Sequence, residues 1–277
     1  SYLVEGNEVQ IINQLRLRPG LYTNFKGDNE IETYLNTSAA GTYKVLLDRK
    51  TGIIRFKIGS DKKVPIYSVL LALGSSPSHA EDLLGNVAEI NKKASNLEKD
   101  TEKLLTSLWP YTKVGSTLEN QQQIKDFLAS KPSDPEVNML TVGKPIDKID
   151  LAAVEASVSK CLALSKGTED EDDRESLAFK SIHSIEDFIP EKIRRKAPAL
   201  RRQMQYQMTK KDSIPAIVPS TFYGNIIKDF MTTSEFSRYS DQNNPIDMNA
   251  VASTTTILGE GGIGSTMAVK DEVRTVH

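Results

Sequence analysis

Cysteine and histidine are scarce in this 277-residue sequence: one cysteine, Cys161, and three scattered histidines, His79, His183 and His277. A single thiol excludes an internal disulfide framework and a cysteine-rich zinc site. Histidines so far apart make an all-histidine metal site a poor expectation. No apolar run approaches the roughly 18 residues that cross a bilayer. There is no excess of charge either. The 35 basic and 37 acidic residues leave a net of −2, which excludes a uniformly basic nucleic-acid binder but not a local basic patch. The opening Ser1-Tyr-Leu-Val4 lacks a Met and the charged and apolar regions of a signal peptide. The closing Val273-Arg-Thr-Val-His277 reads as the middle of a strand, so the sequence is expected to be a piece of something larger.

What is present fits a folded, rather polar protein. The chain is 38% apolar and 26% charged, and its length suggests one or two domains at about 150 residues each. Apolar residues alternate in Thr42–Asp48 (Tyr43, Val45, Leu47) and again in Ile53–Ile58 (Ile54, Phe56, Ile58). The turn Arg49-Lys-Thr-Gly52 between them predicts a β-hairpin. Ile66, Val69, Leu70 and Leu73 then recur at helical spacing, with Pro65 in a first turn and Gly74 as the stop. Three further helices are expected in the middle: around Leu97–Leu108, around Ile124–Leu128, and from Leu151 through Val154, Val158, Cys161 and Leu162, with Asp150 as N-cap. The overall expectation is an α+β protein.

Two charge runs follow. Residues 169–175 hold six acids and Arg174, most simply a solvated loop without the glycine-turn spacing of a calcium site. Lys192 to Lys211 carries eight basic residues and no acid. Pro198 is expected to kink or start a helix there, with Leu200, Met204, Gln207 and Met208 on one face. Such a run is either a solvated face or a phosphate-binding one with salt-dependent affinity. A short helix is expected over Phe222–Met231. Gly259-Glu-Gly261-Gly-Ile-Gly264 satisfies a dinucleotide fingerprint in form, and Thr254–Leu258 before it reads as a strand. Only 13 residues follow Gly264, too few for the return strand and ribose-binding acid, so a flexible loop is the better reading. Asp241-Gln-Asn-Asn-Pro245 reads as an Asx turn before proline, or as an amide surface for sugar-phosphate and base edges. No nucleophile with a base and an orienting group is discernible.

Taken together, these segments resemble the β subunit of multisubunit DNA-directed RNA polymerases. Glu5–Gly20 is similar to the family's "NGxERVIVSQLHRSPG". The hairpin followed by Asp61-Lys-Lys-Val-Pro65 and Leu70-Leu-Ala-Leu73 resembles its "RRRKLPxxxLLRAL". Thr117-Leu-Glu-Asn120, Val142-Gly-Lys144 and Asp172–Ile185 follow as further landmarks. Ser234–Pro245, containing Asp241-Gln-Asn-Asn-Pro245, looks like "SSQLSQFMDQNNPL". Leu258-Gly-Glu-Gly-Gly262 and Val273–His277 then stand for "LGPGG" and "VRDVH". Residues 75–165 match only loosely.

The resemblance implies a lobe domain over residues 21–188, inserted in a partial protrusion made of residues 1–20 and 189–245, with 246–277 beginning the fork. It implies transcription by metal-assisted nucleotidyl transfer. The Mg2+ and its aspartates would lie on a β′-like partner, and the assisting lysines in the remainder of β, so no catalytic residue is carried over. Implied partners are that subunit, the rest of β, other polymerase subunits, an initiation factor, double-stranded DNA and an RNA–DNA hybrid, with no membrane. The implied location is cytoplasmic. A non-catalytic nucleic-acid-binding or adaptor protein on the same scaffold is the alternative.

The family's pocket for an extruded base near the start site falls on Tyr43, Glu175 and Lys180, with Leu17 flanked by Arg16 and Arg18 where an arginine stands in the family. Gln14, in the same motif, is likewise expected to contact nucleic acid. Lys180 lacks the bidentate fork of an arginine, whereas Tyr43 either retains a ring for stacking or simply packs on the lobe. The hybrid-facing turn carries Asp241, Gln242, Asn243 and Asn244, with Arg238 in place of a family glutamine and able to meet a phosphate. Gly261 and Gly262 belong to the same expected surface. Val251, Thr254 and Thr256 replace the histidine, arginine and serine of the rifamycin pocket, which predicts insensitivity to that inhibitor. Ser265, Thr266 and Met267 replace fork-loop arginines. These departures resemble the divergent polymerases of large bacteriophages, which would place the protein in the host cytoplasm or the virion.

Overall fold

A computed structural model describes residues 1–37, 43–59, 62–108, 117–210, 217, 222–239, 244–263 and 275–276. The fold is α+β, about 51% helix and 23% strand. It divides into two compact units: residues 18–179 form one, and residues 1–17 with 180–277 form the other. The expected cuts lay at 20/21 and 188/189. The observed ones fall where strand Asn13–Leu17 ends and strand Lys180–His183 begins.

The inserted unit is built on a five-stranded antiparallel meander, β4 (Gly20–Lys26), β5 (Glu30–Asn36), β6 (Tyr43–Asp48), β7 (Ile54–Ile58) and β8 (Lys62–Pro65). The period-two pattern explains why one face is apolar. Leu21, Ile31, Leu35, Val45, Leu47, Phe56 and Val64 are buried there. They pack with residues of α1 (Ile66–Ala72), α4 (Leu97–Leu108), α5 (Thr117–Ala129) and α7 (Leu151–Lys166). Shorter helices α2 (Pro77–Leu84), α3 (Ala88–Lys93) and α6 (Pro135–Val142) complete the layer. Inside this core the Thr23 and Thr33 hydroxyls meet at 2.8 Å, and Thr33 Oγ1 lies 3.0 Å from Cys161 Sγ. Burial pushes the Cys161 thiol pKa up to about 12, which keeps it protonated and unreactive.

The expected hairpin is present, with Val45 opposite Phe56 and Leu47 opposite Ile54. Asp150 caps α7 by accepting from the Ala153 N–H at 3.1 Å, and Gly167 closes the helix in a left-handed conformation. Pro65 differs slightly from expectation: it ends β8 and sits at the N-cap of α1 rather than inside its first turn. The acidic run is not wholly solvated. Asp172 is drawn in, its Oδ2 accepting from the Thr23 N–H at 2.7 Å and its Oδ1 2.6 Å from Lys160 Nζ.

In the other unit, β1 (Tyr2–Val4), β2 (Asn7–Ile11) and β10 (Ser237–Tyr239) form one sheet in the order β1-β2-β10. A second sheet runs β12 (Thr275–Val276), β11 (Thr255–Thr256), β3 (Asn13–Leu17), β9 (Lys180–His183). Helix α8 spans Ile185–Met208, followed by α9 (Phe222–Thr233) and α10 (Pro245–Ser253). The small core gathers Ile12, Phe188, Phe230, Met231 and Phe236, with the Phe188 and Phe236 rings stacked at 4.6 Å. Pro198 neither starts nor ends α8. It lies inside a continuous helix that begins after Ser184, whose N–H donates to Asp187 Oδ2 at 3.0 Å. Among the described residues no helix is long and apolar enough to cross a membrane.

Candidate functional site

The glycine-rich segment after β11 is seated on β3 and α8, all within one unit. Strand β11 lies parallel to β3, with Thr256 beside Gln14. That register puts the following residues over the Gln14 side chain, which is fully buried. Gln14 Nε2 donates to the Leu258 carbonyl at 2.8 Å, and its Oε1 accepts from Arg16 Nε at 2.6 Å. A buried amide satisfied on both sides orients its neighbour as well as itself.

Arg16 is oriented accordingly. Nη1 pairs with Glu191 Oε2 at 2.7 Å, Nη2 donates to the Glu260 carbonyl at 3.1 Å, and the guanidinium lies 5.4 Å from the Phe188 ring centre. Glu260 reaches back to α8, where its carboxylate is held by Lys192 at 2.7 Å and by Arg195. Its backbone N–H donates to Glu235 Oε1 at 2.6 Å. The two α8 cations, Lys192 first and Arg195 second, hold the Glu260 carboxyl down to about 2. Lys192 and Arg195 reach one carboxylate because residues three apart share a helix face.

The glycines follow from this packing. A Cβ on Gly262 would run into the Ile257 carbonyl oxygen and stand 2.8 Å from Gln14 Nε2. Gly261 has φ +82°, and a Cβ there would meet the Arg16 guanidinium carbon at 3.0 Å. The segment is therefore a clamped loop rather than the free one expected from composition. Glu260, Glu191 and Glu235 had no individual signal in the sequence. The one available signal is the three-residue spacing of Lys192 and Arg195 within the basic run, which puts them on a shared helix face.

Of the residues singled out from the sequence, Gln14, Arg16, Gly261 and Gly262 come together here. The donors of Arg16 named above are spent inside the unit, not offered to a phosphate. Arg238 lies on β10, exposed, its Nη1 donating to the Glu235 and Ser237 carbonyls at 2.8 and 2.9 Å. Asn244 is the N-cap of α10, its Oδ1 accepting from the Ile246 N–H at 3.0 Å, with Pro245 in the first turn. That is the capping role of the Asx-turn reading. Lys180 lies half-buried on β9, opposite Leu17. His183, on the same strand, has its pKa lowered by burial and then by Arg16. Asp241, Gln242 and Asn243 lie outside the described residues, as do Gly264, Ser265, Thr266 and Met267.

The other three belong to the inserted unit. Tyr43 is 3% exposed and its ring stacks on Phe56 at 6.4 Å, so the ring faces expected to receive a base are occupied by the core. Arg18 is drawn to the start of α6, 2.6 Å from Asp134 Oδ2 and 2.7 Å from Glu136 Oε2. Those two carboxylates raise its pKa. Glu175 is exposed in the acidic segment, its N–H donating to Asp173 Oδ1 at 3.0 Å.

Of the positions aligned with the rifamycin pocket, Val251 packs at the edge of the small core. Thr254 Oγ1 donates to the Ala250 carbonyl at 2.7 Å, and Thr256 Oγ1 accepts from the Leu258 N–H at 3.1 Å. No group of three His, Cys, Asp or Glu residues able to hold a metal ion occurs among the described residues. The arrangement of the clamped loop is suited to positioning a chain segment, since its charged groups are paired with one another and none is poised on a nucleophile. No protein-family model matches this sequence.

Proposed function

We propose that this chain is a segment of the β subunit of a multisubunit DNA-dependent RNA polymerase, contributing a lobe, part of the protrusion and the start of the fork. On this reading it is part of a nucleotidyltransferase but carries none of the reacting groups. It forms one jaw of the DNA cleft and part of the wall along the RNA–DNA hybrid. The Mg2+ that assists phosphoryl chemistry would be held by aspartates of a β′-like subunit, and no residue of this chain is assigned to it.

The observation that most supports the reading is the contact between its distant landmarks. The Gln14–Arg16 stretch, from the first motif of the resemblance, holds Leu258 and Glu260, from a motif near its end. A discontinuous unit with another inserted between its two parts is also the organisation that a lobe within a protrusion requires. The clamp gives the glycine segment a fixed direction as it leaves β11, a positioning task that fits a segment without catalytic groups.

Affinity purification of the tagged chain from its native cells tests this. A β′-like chain with an aspartate triad is expected to co-purify, together with RNA-synthesising activity. Recovery of the chain as a lone nucleic-acid-binding monomer would overturn the reading in favour of a free-standing adaptor.

A further inference from the structure

The five-stranded sheet of the inserted unit has a second face, opposite the core, and its register places three lysines in one row. Lys44 of β6 is the cross-strand partner of Lys57 of β7, and Lys57 is the partner of Lys63 of β8. Side chains at paired positions project to the same side of a sheet, so the three ammonium groups share that face. Arg55, two residues from Lys57 on β7, belongs to it as well. Lys103 of α4 adds a cation at the β8 edge, where its Nζ donates to the Lys63 carbonyl at 2.7 Å.

The carboxylates on this face lie towards its other side. Glu32 of β5 takes Lys44 at 3.0 Å, and Asp48, at the end of β6, is engaged first by the Thr51 hydroxyl and the Lys50 N–H, with Arg55 only a minor influence. No ion pair involves Lys57 or Lys63 among the described residues. Lys63 is exposed and Lys57 half-buried. Lys44 is already compensated by Glu32, but Lys57 and Lys63 are not. Like charges directly opposite one another destabilise a sheet, so that pair costs the isolated fold and is compensated when a polyanion covers it. With strands about 4.8 Å apart, the row spans about 10 Å. A duplex strand places about three phosphates in that length at 3.4 Å each.

We propose that the Lys44–Lys57–Lys63 row is a binding face for a nucleic-acid backbone, read through phosphate charge without base selection. The inference rests on the polymerase reading only in choosing nucleic acid rather than an acidic protein as the polyanion. Arginine-type bidentate recognition is absent from the row, so binding there discriminates little among sequences and is strongly salt-dependent.

The test is fluorescence anisotropy of labelled single-stranded and duplex oligonucleotides with the full chain over a series of salt concentrations. The variant K57Q/K63Q is expected to bind more weakly for every sequence. Leaving two phosphates without a cation should flatten the slope of log affinity against log salt by about 1.4 to 1.8. K57R/K63R, which keeps both charges, should restore binding and guards against a folding defect. The thermal midpoint of K57Q/K63Q at low salt should hold or rise as the repulsion is relieved. Unchanged affinity and slope would overturn the proposal, and so would a wild-type chain that binds poly-glutamate but no oligonucleotide. Co-purification of a β′-like chain is a separate readout, so each reading can fail without the other.

Discussion

Lys160 Nζ lies 2.6 Å from Asp172 Oδ1, with the two side chains only 7% and 9% exposed. The pair ties the acidic segment to α7, while Asp172 also accepts from the Thr23 N–H and, through its carbonyl, from Asn24 Nδ2 at 2.7 Å. Replacing Lys160 with Met leaves a carboxylate buried without its cation, which costs about 3–5 kcal/mol. The double variant Lys160→Met/Asp172→Asn should recover much of that loss, because neither partner is then stranded. Urea denaturation followed by circular dichroism measures both. Equal destabilisation of single and double variants would show that the pair itself, not the stranded charge, sets the cost.

Glu260 supplies a pH dependence. Its carboxyl titrates at about 2 rather than the usual 4.5, because Lys192 and then Arg195 stabilise the ionised form. A folded-state value below the unfolded one means that attachment of the loop is complete above pH about 4.5 and is lost as the pH falls towards 2. A carboxyl-carbon NMR titration should show Glu260 ionising in that low range. In Glu260→Gln, amide exchange at Gly261 and Gly262 should be faster at neutral pH and no longer change with acid beyond the intrinsic rate. Ionisation of Glu260 at an ordinary carboxylate pH would contradict the clamp.

How far the sequence discloses this structure depends on whether a feature is local. The β6–β7 hairpin and α7 are legible because alternation, helical spacing and an Asp150 cap each act within a few residues. The β4–β5 hairpin is equally periodic, with Leu21, Thr23 and Phe25 facing Leu35, Thr33 and Ile31. It is harder to read because threonines interrupt the apolar pattern, and those threonines are buried against each other. Pro198 suggests a kink or a helix start because proline forfeits one hydrogen bond and crowds the preceding turn. A 24-residue helix capped at Ser184 absorbs that local loss.

The site follows the same division. Gln14, Arg16, Gly261 and Gly262 stand out through the resemblance, but their mutual contact spans some 245 residues of sequence and cannot be read from spacing. Asp172 looks like one acid among six. Only its burial beside Lys160 distinguishes it. Tyr43 shows the reverse: the resemblance suggests a stacking ring, while its alternation with Val45 and Leu47 marks the core-facing alternative, and it is buried in the core.

Gly262 offers a test of close packing. An alanine there would press its Cβ on the Ile257 carbonyl and on Gln14 Nε2, so Gly262→Ala should destabilise its unit by about 1–3 kcal/mol. Gly224, within α9, has open space where a Cβ would lie, with no atom within 4 Å. Gly224→Ala is therefore expected to stabilise by about 0.5–1 kcal/mol, since glycine is a poor helix former. Thermal denaturation of the two variants should move in opposite directions. A common direction would mean that the glycine segment yields freely.

Under the polymerase reading, the enzyme should resist rifamycins. Val251 is partly buried against the small core, and the Thr254 and Thr256 hydroxyls already bond to the Ala250 carbonyl and the Leu258 N–H. Neither the aligned imidazole nor the aligned guanidinium is present to donate to the drug. Transcription by the assembled enzyme should continue at micromolar inhibitor. Inhibition in that range would show that other groups complete the pocket.

The basic run of α8 should divide into two functional sets. Lys192 and Arg195 are engaged with Glu260, and Arg195 also meets Glu191 at 3.2 Å. Arg194, Arg201 and Arg202 are exposed, with no ion pair among the described residues. Neutralising the exposed three to Gln should weaken nucleic-acid retention across sequences, and the salt slope should flatten by about 0.7–0.9 for each phosphate left without its cation. Arg195→Gln should act differently. It removes one of two cations from Glu260, so its first effect is faster amide exchange in residues 260–262 and an upward shift of the Glu260 pKa. A salt series and an NMR titration on both variants separate the sets. If Arg195→Gln changed only the salt slope, its pairing with Glu260 would not persist in solution. If the triple variant left that slope unchanged, the exposed arginines would be no more than a solvated helix face.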